Sequence, residues 1–211
     1  MSGVGLVCVL GGLIYRNEWS SISGILTNCY NGGMHVEKSD KLAYKYYKMA
    51  ADHGHIEAHV QTAIHLLFGY GIPKDKKTGV KYLKIGADNG SAFGQYMLGF
   101  FYRAGEIGLL GRDKKAVQYF EMAAKQGHAK SQIELANMIM TTNQNGYTLD
   151  DVVFWLSCAY LHVDNAPKES ADALKLLNHL VDNGIPGGSE FILDVMNNAR
   201  CNYPQYLDNP K

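Results

Sequence analysis

The sequence has no excess of charge of either sign, and it lacks the short motifs of several common enzyme classes. Lys and Arg total 20 and Asp and Glu total 20 in a chain of 211 residues. Such a balanced chain has no general electrostatic attraction for nucleic acid, so nucleic acid is not an expected partner. The chain contains no G-x-x-x-x-G-K-[ST], no G-x-G-x-x-G and no G-x-S-x-G. We therefore expect no catalytic residues, no cofactor and no small-molecule substrate.

Cysteine is scarce, and the few cysteines follow no metal-binding or disulfide pattern. The four are Cys8, Cys29, Cys158 and Cys201, and no two of them form a C-x-x-C pair. This spacing indicates neither a disulfide framework nor a zinc knuckle. We interpret them as reduced thiols, which favours a cytoplasmic location.

No apolar run is long enough to span a bilayer as a helix. The run at 4–15, VGLVCVLGGLIY, has the length of a signal-peptide core. However, no basic residue precedes it, and no small-x-small cleavage site follows it. We expect a first strand or helix that packs on the domain and makes no use of a membrane. A signal or a membrane anchor at 4–15 is the alternative.

The sequence does contain an internal repeat. The segments KLAYKYYKMAADHGHIEAH, TGVKYLKIGADNGSAFGQ and KAVQYFEMAAKQGHAKSQ align from Lys41, Thr78 and Lys115. A pair led by an aromatic residue, then a pair of small residues, then a glycine recur at steps of 36 and 37 residues. These positions are Tyr46 and Tyr47, Tyr82 and Leu83, Tyr119 and Phe120; Ala50 and Ala51, Gly86 and Ala87, Ala123 and Ala124; and Gly54, Gly90 and Gly127. A fourth, weaker copy surrounds Phe154 and Trp155.

Each repeat unit is predicted to form two helices. Tyr46, Tyr47 and Ala50 have the spacing of one buried helix face. The glycine that follows can adopt a left-handed conformation and end the helix, and Asp75 and Thr148 are typical N-cap residues. We predict helices A at 56–68, 92–104 and 129–141. We predict helices B at 40–53, 76–89, 113–126 and 149–162.

This pattern resembles the Sel-one-like repeat, a relative of the tetratricopeptide repeat. In one unit the matching residues are Leu98, Gly99, Tyr102, Gly105, Ala116, Tyr119, Phe120, Ala123, Ala124 and Gly127. Thr62 and Gly79 depart from the pattern, and the fourth unit lacks its small pair and its glycine. The resemblance implies an all-α, right-handed superhelix (a solenoid) of about four helix-turn-helix repeats. It also implies a role as a scaffold or adaptor in protein complexes.

The repeats suggest a division of the chain into four segments. An apolar N-terminal segment covers 1–21, and the solenoid covers 22–165 with units at about 22–57, 58–93, 94–128 and 129–165. Capping helices follow at 166–200, predicted at 169–183 and 189–200, and a tail covers 201–211. The terminal repeats of a solenoid are atypical because they must present one polar outer face.

A histidine-rich stretch, DHGHIEAH, runs from Asp52 to His59 and raises the question of a metal site. The aligned copies keep only the turn position, where His55 corresponds to Ser91 and His128. The H-E-x-x-H spacing of zinc proteases is absent. His55 and His59 can chelate a metal only if helix A begins early enough. We expect no metal.

The predicted binding surface is a concave groove lined by helix A side chains that point away from helix B. If Leu98, Gly99 and Tyr102 form the packing face, positions two before, two after and five after Leu98 face the groove. In three units these are Tyr96, Phe100, Arg103, Val60, Ile64, Leu67, Ile133, Asn137 and Met140. Most are apolar, and an open apolar groove is typical of a binding site. The alternative is that longer helices or the N-terminal segment cover this stripe.

We expect a non-catalytic scaffold that binds another protein or a peptide in this groove. One alternative is a self-associating structural protein whose own N-terminus fills the groove. The other is a β-lactam-binding or β-lactam-hydrolysing enzyme, like some cysteine-rich relatives of this repeat. Those relatives carry a cysteine pair in each repeat, and this chain carries none.

Overall fold

The computed structural model describes residues 39–106, 113–142, 146–161 and 166–183, together with most of 189–197. Throughout this part of the chain the regular structure is helical and no strand forms. The helices are α1 (Asp40–Asp52), α2 (Ile56–Phe68), α3 (Lys76–Asp88), α4 (Ala92–Ala104), α5 (Asp113–Lys125), α6 (Ala129–Thr142), α7 (Leu149–Tyr160) and α8 (Pro167–Asp182). The bounds predicted for these eight helices are confirmed to within two residues at each end. The predicted helix at 189–200 falls only partly within the described residues. The N-terminal segment, the part of the first repeat before residue 39, and the tail lie outside the described residues.

The helix ends follow from local chemistry. Asp75 caps α3, since its Oδ1 accepts a hydrogen bond from the Thr78 N–H at 3.0 Å. Thr148, the predicted N-cap residue of α7, forms a capping box with Asp151. Gly54 and Gly90, which follow α1 and α3, have φ of +85° and +97°. A side chain at these positions would strain the left-handed backbone, so glycine fits the turn from helix B to helix A.

The chain divides into two compact units, residues 1–94 and 95–211. In the first, α1 packs on α2, and α2 packs on α3. Glycines on α3 bring these helices close together. A Cβ at Gly86 would lie 2.6 Å from Val60 Cγ2, and a Cβ at Gly79 would lie 2.8 Å from Leu67 Cγ. Gly79, a departure from the family pattern, thus makes room for a leucine of α2.

In the second unit, α5 packs on α6, α6 on α7 and α7 on α8. Its fully buried residues include Leu98, Phe120, Leu135 and Leu156. All eight residues from Val152 to Ala159 on α7 are buried. Burial raises the pKa of the Cys158 thiol to about 12, so this cysteine is a core residue and not a nucleophile at neutral pH. No helix within the described ranges has both the length and the apolar character needed to cross a membrane.

Candidate protein-binding surface

One side of α4 carries two aromatic residues in different environments. Tyr96 is half-buried, with its ring centroid 4.9 Å from that of His128 and 6.1 Å from that of Phe120. Burial, and secondarily the charge of Glu134, raises the pKa of Tyr96. Phe100, one turn further along, is 36% exposed, and its ring centroid lies 5.8 Å from that of Phe101 in an edge-to-face arrangement. Tyr96 is therefore partly a packing residue, whereas the Phe100 side chain is exposed at the surface.

An ion pair joins α4 to α6 beside these aromatic residues. The Arg103 guanidinium donates to the Glu134 carboxylate, and both side chains are partly exposed. A pair this exposed adds little stability, but it holds Arg103 in one orientation. Glu134 is 31 residues from Arg103, so no local sequence pattern indicated the contact. Arg103, one of the predicted groove residues, is therefore paired with a carboxylate of the protein itself.

The α6 positions complete this surface in the second unit. Ile133 and Asn137 are partly exposed, and Met140 is 40% exposed. The six predicted positions of the second unit are therefore all at least partly accessible. We call them the α4–α6 face; they are Tyr96, Phe100, Arg103, Ile133, Asn137 and Met140.

The same prediction is wrong in part for the first unit. Ile64 is partly exposed, but Val60 and Leu67 are buried, at 0% and 4% exposure. Val60 packs at Gly86, and Leu67 packs at Gly79, where the missing Cβ atoms let α2 and α3 approach closely. Because of this approach, Val60 and Leu67 are core residues of α2 and do not line an open surface.

Histidines of the stretch 52–59, and His128 in a later repeat, act as helix caps or lie against backbone carbonyls. His55 Nδ1 accepts from the Ala58 N–H at 3.2 Å, and His128 Nδ1 accepts from the Ser131 N–H at 3.3 Å. Ser91, at the same position of the repeat between them, accepts a hydrogen bond from the Gly94 N–H at 3.1 Å. His59 Nδ1 lies 2.9 Å from the His55 carbonyl oxygen. In the described ranges, no three or more His, Cys, Asp or Glu residues are grouped so as to hold a metal ion.

Comparison with known proteins identifies the repeat. The Sel1 repeat matches three consecutive segments, 24–55, 56–91 and 92–128. The protein is a member of the Sel1 repeat family. A crystal structure of a Sel1 repeat protein from Oxalobacter formigenes has a TM-score of 0.66 at 19% identity, with 93% of this chain and 84% of that chain covered. Since that protein has the same arrangement of helices, the predicted all-α solenoid fold is confirmed.

A second structure and two fungal sequences are also similar to this Sel1 repeat protein. The antigen c5321 of uropathogenic Escherichia coli has a TM-score of 0.65 at 19% identity, with 88% of this chain and 40% of that one covered. Chitin synthase regulatory factor 2 of Schizosaccharomyces pombe is 29% identical over 101 residues, 47% of this chain. Chitin synthase regulator SKT5 of Saccharomyces cerevisiae is 30% identical over 91 residues, 43% of this chain. The matches span only 20% and 13% of the two fungal proteins.

The His128 cap predicts that the stability of the second unit depends on pH. Burial, and secondarily Lys130, lowers the pKa of His128, while Glu169 on α8 opposes this shift. The folded state therefore binds a proton less readily than the unfolded chain, whose histidine pKa is about 6.5. The stability from this group is present above about pH 6.5 and is lost as the pH falls through the folded pKa. A protonated ring also cannot accept the Ser131 N–H.

Denaturant unfolding at a series of pH values tests this prediction. The variant His128→Ser replaces the histidine cap by serine, the residue that Ser91 provides at the same position of the preceding repeat. A serine hydroxyl does not titrate in this pH range. We expect the variant to lose less stability than the original protein between pH 7.5 and pH 5. An equal loss in both proteins would assign the pH dependence to other groups.

Proposed function

We propose that this protein is a non-catalytic adaptor that holds another protein through the α4–α6 face. One observation carries the proposal: Phe100 of α4 and Met140 of α6 are large, exposed apolar residues on the two helices that the Arg103–Glu134 pair joins. Aromatic residues, methionine and arginine are enriched at protein interfaces. An exposed apolar anchor beside an oriented guanidinium is the kind of site at which binding energy concentrates.

The relatives support a regulatory version of this role. Two fungal relatives are named as a regulatory factor and a regulator of chitin synthase. Regulation of an enzyme by a repeat protein requires contact with that enzyme or with another of its partners. The similar segment is a small part of each relative, so we assign to this chain the binding role and leave its partner unassigned. A self-associating protein and an enzyme are the competing functions, and the buried, high-pKa Cys158 gives no support to thiol chemistry.

The test removes the apolar anchors without touching the core. We expect Phe100→Ala with Met140→Ala to abolish or strongly reduce capture of partner proteins from an extract of the native host. The melting temperature should change little, because both side chains are substantially exposed. Pull-down with the purified full chain, read by mass spectrometry, measures the first effect, and thermal unfolding measures the second.

A matched control removes two exposed apolar residues elsewhere in the second unit. Met122 on α5 and Leu149 at the start of α7 are 43% and 36% exposed. Met122→Ala with Leu149→Ala should leave partner capture intact. If the two double variants lose the same partners equally, the α4–α6 face is not the binding site. If only copies of this chain are captured, the function is self-association.

A further inference from the structure

Two consecutive repeats carry the same row of lysines on their B helices. Three lysines at relative positions 0, 4 and 7 on α1 recur 36 residues later on α3. An aspartate ends each row at relative position 11. The rows are Lys41, Lys45, Lys48 and Asp52 on α1, and Lys77, Lys81, Lys84 and Asp88 on α3. Residues spaced in this way share one side of a helix, so each row is a stripe of charge about 10 Å long between its first and last lysine.

Both rows lie on the side of their helix that faces away from the core. The buried residues of α1 are Ala43, Tyr47, Ala50 and Ala51, and those of α3 are Gly79, Leu83, Gly86 and Ala87. Lys45 and Lys81, at the centre of each row, are exposed. Neither lysine row therefore contributes to the packing of α1 or α3 against α2.

The end of the first row contacts α3 in the first unit. The Tyr82 hydroxyl of α3 donates to Asp52 Oδ1 of α1 at 3.3 Å. Asp52 also accepts from Lys48 Nζ at 2.7 Å. These contacts bring the end of the first row against the middle of α3. We call the six lysines of α1 and α3 the lysine face.

Among the described residues, most of this positive charge is in no ion pair. In the described part of the first unit, Lys48 is the one member of the lysine face in an ion pair, and its partner is Asp52. The other five ammonium groups make no hydrogen bond or ion pair there. Six lysines and two aspartates leave the two rows with a net charge of +4. This charge is retained on the surface although the whole chain is neutral.

The fold itself does not require lysine at these positions. The equivalent positions of α5, in the second unit, are Lys114, Gln118, Glu121 and Lys125. Glu121 and Lys125 pair with each other at 2.9 Å and cancel their charge. The third copy therefore keeps the helix and its buried face without the row of free lysines. The lysine face thus reflects something other than the repeat architecture.

We propose that the lysine face binds an acidic segment of a partner protein, one that alternates carboxylates with apolar residues. Leu42 and Ile85, on α1 and α3, are 40% and 43% exposed and supply apolar contacts beside the lysines. Carboxylates on the partner would neutralise the unpaired ammonium groups and steer its approach. This surface belongs to the first unit, so it is distinct from the α4–α6 face and its test does not depend on that proposal.

The same details argue against a nucleic acid or a lipid surface as the ligand. Asp52 and Asp88 end the two rows, so a continuous line of phosphates along either row would meet a carboxylate. The Tyr82 ring packs at 5.9 Å from the ring of His59, and its hydroxyl is engaged with Asp52. It therefore offers no free platform for base stacking. A peptide that presents a few spaced carboxylates between apolar residues avoids both conflicts.

The experiment uses the full chain and a fluorescent peptide of alternating glutamate and leucine. Fluorescence anisotropy at low salt should show binding that weakens as salt is raised, because exposed charges are screened. We expect Lys45→Glu with Lys81→Glu to weaken this binding about tenfold, since two attractive contacts become repulsive. The matched control, Lys114→Glu with Lys168→Glu, makes the same change in net charge on the second unit. It should alter the affinity by less than about twofold.

Several results would overturn the proposal. One is an equal loss of affinity in both charge-reversal variants, which would reduce the effect to net charge. Another is no binding of the acidic peptide by the original protein. A third is tighter binding of single-stranded RNA, or of phosphatidylserine vesicles, than of the peptide. If the Glu variant does not fold, Lys45→Gln with Lys81→Gln removes the attraction alone, and unchanged affinity in this folded variant would also overturn it.

Discussion

Replacing Phe120 by alanine is expected to lower the free energy of unfolding by about 3–5 kcal/mol. The Phe120 side chain is fully buried, and its ring lies against Tyr96 and over the backbone of Gly99. Its removal deletes a large apolar surface and leaves a cavity that rigid helices cannot fully close. Denaturant unfolding monitored by circular dichroism measures the effect as a shift of the midpoint.

Two further variants test whether the loss of stability comes from the cavity at Phe120 and not from substitution in α5 as such. Met122→Ala, on the same helix, changes a side chain that is 43% exposed and should cost less than about 0.5 kcal/mol. A Cβ at Gly99 would lie 2.8 Å from the Phe120 ring. Gly99→Ala should therefore be less harmful in the Phe120→Ala protein than in the original. A cost for Phe120→Ala close to that of Met122→Ala would mean that Phe120 is not the core residue described.

Gly71→Ala is expected to cost about 2 kcal/mol or more, for two reasons that act together. Gly71 has φ of +70°, a conformation that strains any residue with a Cβ. In addition, that Cβ would lie 2.3 Å from the Lys41 backbone nitrogen at the start of α1. The clash is with backbone, so the loop between α2 and α3 must move away from α1. Thermal or denaturant unfolding reports the loss.

Gly54→Ala is the control for the strain alone. Gly54 has φ of +85°, but no atom lies within 4 Å of the position its Cβ would occupy. This variant should cost about 1 kcal/mol, the usual strain of a left-handed alanine. The additional loss of unfolding free energy in Gly71→Ala, beyond that in Gly54→Ala, measures the clash with the backbone of α1. Equal costs would show that the loop does not rest on α1.

The helices were predictable because two independent signals agree in the sequence. Apolar residues recur with a helical period, and the same residues recur at the period of the repeat. Capping residues such as Asp75 and Thr148 then mark the ends. Both signals can be read from the order of residues alone, without knowing what each helix packs against. The lysine rows of α1 and α3 are also visible in the sequence, although only the contact between Tyr82 and Asp52 shows that the end of the first row lies against α3.

The binding surface was less predictable because accessibility depends on the neighbouring helix. The spacing rule that predicted Phe100 and Met140, which are exposed in the second unit, also predicted Val60 and Leu67 as groove residues in the first unit. There, Gly79 and Gly86 let α2 and α3 approach until both residues are covered. A glycine in a sequence indicates a possible close approach, but not which side chain fills the space. The binding role of the α4–α6 face stays a prediction.

The sequence by itself determined the repeat, the helices with their caps, and the interpretation of His55 and His128 as turn residues. These follow from interactions within a few residues of one another, which the order of residues specifies directly. Only the tertiary structure decided that Val60 and Leu67 are core, that Gly71 rests on α1, and that Arg103 is held by Glu134. Each of these depends on the distance between two different helices, or between a loop and a helix, and that distance is set by how the side chains between them pack.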